Sequence, residues 1–372
     1  MTRIVVVGAG LAGAAAAWRL AQRGHDVTVL ERTVPANEHG SSHGSARIFR
    51  YAYQDRFYVD LVVDAARGWT ELMQAHGSEL ITPTGAVDYG DIRNPEGLAT
   101  VLAEAGVEHE LLTAGEARRR WDFAFDTDVL WQPGAGVIDA EQSVRAMLAQ
   151  ARHHGATVWE NRLVTQVAKA ASGYRVLTAS GEVFDAEQVV VAAGGWLPDL
   201  LSDLALPSAF TNAFPALEVS QEYAYHFPYR EPMLAWPTFI HKTKEIQVYG
   251  LPGGRDAENR GQKVAEYNGG KRISSAAQHE QIVDPANRKR VIEYVKRYHP
   301  ALVPEPYAET TCLFTNTPNE DFIVDRIEGI VLLSPCSGHG AKFAPLIGEF
   351  AAELVGGGNV PSRFRASARA NR

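Results

Sequence analysis

The chain opens on an apolar run, residues 4–7, interrupted by the Gly- and Ala-rich stretch from Gly8 to Gly13 and followed by an Ala-rich segment to about residue 23. A second apolar run, 27–30, ends in Glu31. Unbroken β-branched runs suit strands covered on both faces, so this spacing predicts strand, helix and a parallel strand. Residues 57–75 place Tyr58, Leu61, Val62, Ala65, Trp69 and Leu72 at helical spacing. Residues 80–89 alternate around Pro83 and Gly85, predicting a bent strand; 96–121 read as two short helices, 129–137 as a strand with a Pro-Gly turn, and 141–154 as a helix. Short alternating runs at 157–159, 163–167, 174–178 and 183–185 predict a small antiparallel insertion. Residues 188–193 form a buried strand running into Gly194 and Gly195. Aromatic-rich strands follow over 214–250, then a loop-like stretch, 250–270, with a charged insert at 255–260, and a helix at 285–298. A last buried strand, 330–333, a Gly-rich turn and a helix over 343–355 repeat the opening texture, and the tail from 359, with Arg363, Arg365, Arg369 and Arg372, reads as a frayed basic end.

The opening βαβ unit has the context a dinucleotide fingerprint requires. In Gly8-Ala9-Gly10-Leu11-Ala12-Gly13 the first glycine permits the tight turn, the second lets a pyrophosphate approach the backbone and the third lets the helix pack on the sheet. Glu31, eighteen residues past Gly13, is placed to accept hydrogen bonds from a ribose. FAD and NAD are both compatible with this stretch. The Gly-, Ser- and His-rich loop from 32 to 50, ending in Arg47 and Arg50, is placed either to wrap a cofactor or to lie on the surface with its arginines paired to acids.

Composition narrows the class. With 372 residues and 45% hydrophobic content the chain can bury a sizeable core. The net charge of −8 argues against a general affinity for nucleic acid or anionic membrane. No stretch reaches the roughly 18 apolar residues of a membrane span, so a cytoplasmic protein is expected. Two cysteines, Cys312 and Cys336, fit a reducing compartment as free thiols. No metal site is expected.

Five motifs in order, GAGLAG, GSSHGSARIFRYAY, VVVAAGGW, TCLFTNTPNEDFIVD and SGHGAKF, make the chain similar to the monomeric sarcosine oxidase and N-methyltryptophan oxidase family of D-amino acid oxidase-type FAD-dependent oxidoreductases. The resemblance covers nearly the whole chain. It implies an α/β fold, α+β overall: a discontinuous, Rossmann-like FAD-binding domain (1–80, 137–213 and 306–372) with an inserted, mainly antiparallel β-sheet substrate domain (81–136 and 214–305). It also implies FAD as the cofactor, a small carboxylate-bearing amine as substrate, O2 as electron acceptor and a monomer.

The family's residues carry over by position. Cys312 matches the cysteine that bonds covalently to the flavin. Lys263 matches the lysine that promotes oxygen reduction, with Lys271 as competitor for that place. Arg50 and Lys342 match the pair that holds the substrate carboxylate, and Arg47 a residue that sets the electrostatics near the flavin. Gly8, Gly10, Gly13, Glu31, Arg32, Ser41, His43, Val164, Gly194, Gly338 and Gly340 fall at cofactor-side positions, whereas Cys336 has no implied role. Tyr249 matches an active-site tyrosine. Tyr267 stands where the sarcosine enzymes carry a histidine, which points away from sarcosine and toward a larger or cyclic amino acid. The expected activity is therefore FAD-dependent oxidation of a secondary amino acid by hydride transfer, giving an imine and hydrogen peroxide. The alternatives are a flavin dehydrogenase or tailoring oxidase acting on a cyclic imino acid, and a non-catalytic flavoprotein.

Overall fold

The computed structural model describes residues 1–231 and 236–366. Arg369 and Arg372 of the basic tail lie outside the described residues.

A six-stranded sheet carries the N-terminal unit. Arg3–Val7 lies at its centre, parallel to Asp26–Leu30 on one side and Gln188–Val191 on the other, and the sheet continues through Thr157–Trp159 at one edge and Ile330–Ser334 and Ile323–Ile327 at the other. Register is in step: Val6 faces Val29 and Val190, and Val190 faces Val331. These central residues are fully buried, as their unbroken β-branched character requires. Helix Leu11–Gln22 packs between Ala140–His153 and Ala344–Val355. Small side chains permit close approach there, since a Cβ on Gly348 would lie 2.5 Å from the Ala15 carbonyl oxygen.

Helix starts follow capping chemistry. Asp55 accepts from Phe57 N at 3.0 Å to open Arg56–His76, which ends at Gly77 with φ of 77°. Asp139 caps Ala140–His153, and Asp284 followed by Pro285 opens Pro285–Tyr298.

Among the described residues the larger sheet has nine strands and draws on distant segments. Glu218–Pro228, Gly261–Glu266, Gln247–Pro252 and Thr238–Lys242 run antiparallel in that order; Thr238–Lys242 then pairs in parallel with Ala86–Tyr89, which pairs with Val129–Gln132. Ala308–Asn316 runs along the other side of Glu218–Pro228, so Cys312 is carried by this sheet. One face packs on Pro285–Tyr298 through Val291, Tyr294 and Val295.

The structure departs from the sequence expectations at several points. Residues 250–270 are not a loop: strands end at Pro252 and restart at Gly261. The polar run Gly-Gln-Lys-Val-Ala-Glu hides a strand because its Gln and Lys are buried by tertiary partners rather than solvated. The runs 80–89 and 129–137 each divide between two sheets, Ile81–Thr82 and Gly136–Ile138 pairing with each other and Arg47–Phe49 with the latter. The tail is anchored through residue 366: Arg363 pairs with Asp55 and, at 2.7 Å, with buried Asp321, while Arg365 donates to Asn359. The small sheet of Val164–Lys169, Tyr174–Thr178 and Val183–Ala186 is antiparallel, as its alternation predicts, but residues 157–159 are not part of it: they pair in parallel with Thr28–Leu30 at the edge of the six-stranded sheet. Among the described residues no helix is long and apolar enough to cross a membrane.

Candidate active site

A single cavity of about 990 Å³ runs from the N-terminal fingerprint to the large sheet. At the fingerprint, Gly8 adopts φ of 96° and a Cβ there would sit 2.5 Å from the Ala192 carbonyl oxygen; one on Gly10 would meet Ser42 Oγ at 2.9 Å. Gly13 does not line the cavity. Its place is structural, because a Cβ would fall 1.9 Å from the Gly8 oxygen and push the helix off the turn. Glu31 binds the loop itself, accepting from Ala9 N at 2.8 Å and Thr33 N at 3.1 Å, and burial raises its carboxyl above the ordinary value. Arg32 lies over the Trp196 ring at 4.1 Å. Ser41, Val164, Gly194, Gly338 and Gly340 also line the wall. A Cβ on Gly340 would meet the Pro335 oxygen at 1.6 Å, so only glycine allows this turn.

The loop from 32 to 50 folds over the cavity rather than into solvent. Arg47 is fixed by the carbonyls of Ala46, Ser41 and His43, and its guanidinium reaches Cys312 Sγ at 3.6 Å. His43 supplies that carbonyl but does not line the cavity; burial and the Arg47 charge push its ring down to about 3, leaving it neutral. Lys263 lines the same region. Burial, followed by the Arg47 charge, lowers its ammonium to about 8, with Asp256 and Cys312 acting in the opposite direction. Lys271 is instead exposed and paired with Glu280. Glu222 stands directly across the strand pair from Cys312, so the two side chains share one face. It is 2% exposed, Ser220 Oγ donates to Oε1 at 2.5 Å, and burial raises the acid to about 7. Cys336 is also in the wall, its Sγ accepting from Thr315 N at 3.4 Å.

A second group of cations lies farther along the sheet. Lys342 is buried, donates to Tyr53 Oη at 3.0 Å and the His339 carbonyl at 2.7 Å, and is held well below the ordinary lysine range by burial and Arg50. Arg50 bonds the Ala52 carbonyl and lies 4.8 Å from the Tyr53 ring. Tyr53 also meets His339 Nδ1 at 3.0 Å, and burial raises its hydroxyl to about 12. Tyr267 donates to Glu320 at 3.0 Å and carries the Lys242 ammonium over its ring at 4.8 Å. Tyr249 lines the wall between the two cation groups; burial pushes its hydroxyl up.

The wall therefore brings together Gly8, Gly10, Glu31, Arg47, Arg50, Tyr249, Lys263, Tyr267, Cys312 and Lys342. Ser42, Tyr53, Glu222, Lys242, Glu320 and His339 join them without having been singled out in the sequence. Tyr53 and His339 stand inside the quoted motifs and could have been found. Glu222 and Lys242 carry no local signal, because only strand order brings them inward.

The fingerprint and its cavity agree with what related sequences show. Residues 3–354 match the family described as FAD dependent oxidoreductase. The chain belongs to that family. This FAD-dependent oxidoreductase is 31% identical over 368 residues to the monomeric sarcosine oxidase of Streptomyces avermitilis, covering 95% of this chain and 93% of that one. It is 29% identical over 362 residues to the N-methyl-L-tryptophan oxidase of Yersinia pestis, covering 94% and 93%. The structure of NikD, an unusual amino acid oxidase essential for nikkomycin biosynthesis, superposes with a TM-score of 0.86 at 25% identity, covering 98% of this chain and 97% of that one. The oxidoreductase is thus of the FAD-dependent amino acid oxidase type. The glycine cradle and Glu31 fit the adenosine diphosphate part of FAD, and the long wall beyond them fits its ring system.

Proposed function

We propose that the protein oxidises a secondary amino acid at the carbon beside the amine nitrogen, the product imine then hydrolysing. The observation that carries this reading is that Arg50, Lys342 and Lys263 all line the cavity that begins at the dinucleotide fingerprint. Bound FAD supplies the two-electron acceptor and, on reaction with O2, yields hydrogen peroxide. Arg50 and Lys342 hold the substrate carboxylate, the arginine through its planar fork and the lysine as a compact charge steadied by Tyr53. That clamp, rather than a strong protein base, orients the reacting C–H bond, because a neutral amine releases hydride with help from its own lone pair. Lys263, itself buried, places a cation where negative charge develops on oxygen. Cys312 tethers the cofactor covalently, beside the Arg47 guanidinium. Tyr249 and Tyr267 give the pocket an aromatic lining suited to a substrate larger than sarcosine.

The test is rapid-mixing kinetics on Lys263→Met. Reoxidation of the reduced flavin by O2 is expected to slow by about two orders of magnitude, with reduction by substrate little changed. Equal loss in both half-reactions would remove the role given to Lys263.

A further inference from the structure

The carboxylate clamp accounts for Arg50 and Lys342 but not for Lys242. On strand Thr238–Lys242 the side chains alternate: His241 points away and meets Tyr294 at 2.9 Å, while Ile240 and Lys242 face the cavity. Lys242 is opposite Gln247, and Lys263 is opposite Leu251 on the same neighbouring strand. Four residues along a strand is about 14 Å, so the two lysines mark opposite ends of the cavity floor, with Tyr249 between them.

Lys242 has an unusual set of neighbours for a half-buried lysine. Its ammonium lies 4.8 Å from the Tyr267 ring centroid, and among the described residues it forms no ion pair with a carboxylate. Two acids act on it without pairing with it: Asp88 is bonded to Arg93 at 2.6 Å, and Glu320 accepts the Tyr267 hydroxyl, a neutral donor that leaves its charge in place. Burial, followed by the like charges of Arg93 and Arg50, brings it down to about 8, with Glu320 and Asp88 acting in the opposite direction, so it remains a cation at neutral pH. A cation–π contact offsets part of the desolvation but neutralises none of the charge. With a substrate carboxylate on Arg50 and Lys342, a positive charge would be left over at this end of the pocket.

We propose that Lys242 is a second anion-binding point, and that the substrate is a secondary amino acid with a second carboxylate on a short side chain. This rests on the carboxylate-clamp reading above. Tyr267 then serves as the platform that aims the ammonium, and the acidic side chain spans from the clamp toward Lys242. The added charge recognition selects for a dicarboxylate over its amide.

The test uses non-reacting ligands on the holoenzyme, read by perturbation of the flavin absorption spectrum. Glutarate is compared with its monoamide, 4-carbamoylbutyrate, which has the same shape and one charge fewer. In the wild type glutarate is expected to bind at least about tenfold more tightly, and in Lys242→Met the two should bind alike with the monoamide's affinity retained. Arg50→Met should weaken both. Equal binding in the wild type, or equal weakening of both ligands by Lys242→Met, would overturn the role of Lys242, and the clamp would still stand if Arg50→Met abolishes monoamide binding. If neither ligand perturbs the flavin in the wild type, the clamp reading fails and this proposal falls with it.

Discussion

Glu222 offers a quantitative check on the cavity's electrostatics. Burial raises this acid from an ordinary value of 4.5 to about 7. The folded state therefore prefers it protonated, and a group whose folded pKa is raised contributes stability below its unfolded pKa that is lost as pH rises through the folded one. At about 1.4 kcal/mol per pKa unit the full loss is ~3 kcal/mol, complete above about pH 8. Glu222→Gln keeps the shape of the protonated acid without the titration. Urea unfolding of wild type and variant in parallel cancels every other titrating group. Between about pH 5 and 8.5 the stability difference should move by about 2–3 kcal/mol in favour of the glutamine variant. A difference that stays flat within about 0.5 kcal/mol would refute the burial argument, since 2% exposure would then carry no electrostatic penalty.

Two other substitutions test separate parts of the structure. In Cys312→Ala, acid precipitation should release the yellow flavin into the supernatant, whereas in the wild type colour stays with the pellet; release from both would leave cofactor binding intact and remove the covalent bond. Arg363→Ala should lower stability by about 1 kcal/mol in urea titrations, because Asp321 loses its cation but keeps the bonds from Tyr58 and Asn319, and Arg363 is itself 40% exposed. A change below about 0.3 kcal/mol would mean the tail is held by Phe364 packing alone.

Much of this architecture can be read from local pattern. The run Ile4 to Val7, the glycines after it and the acid at Glu31 need only their neighbours in sequence to take the form found, and the capped helices begin at their aspartates. The cavity's first half was legible for the same reason. The second half is tertiary. Lys263 sits in a strand whose buried Gln262 and Lys263 look solvated in one dimension, and Lys242 faces inward only because its strand pairs with residues 86–89, some 150 positions earlier in the chain. The arginine tail misled in the opposite sense: basic side chains at a chain end usually fray, but Arg363 finds Asp55 and Asp321, acids that no sequence window places together.

The interleaving of strands also sets an order for biosynthesis. The fingerprint is complete at Glu31, yet the parallel sheet waits for Gln188–Val191 and Ile330–Ser334, and the cavity wall for Lys342. Roughly 300 residues separate the first from the last, about 15–60 s of translation at typical rates. During that interval helix Leu11–Gln22 lacks the C-terminal helix that covers one of its faces. Completion of the cavity wall is therefore a late event, and until then that face of the helix stays without its final partner.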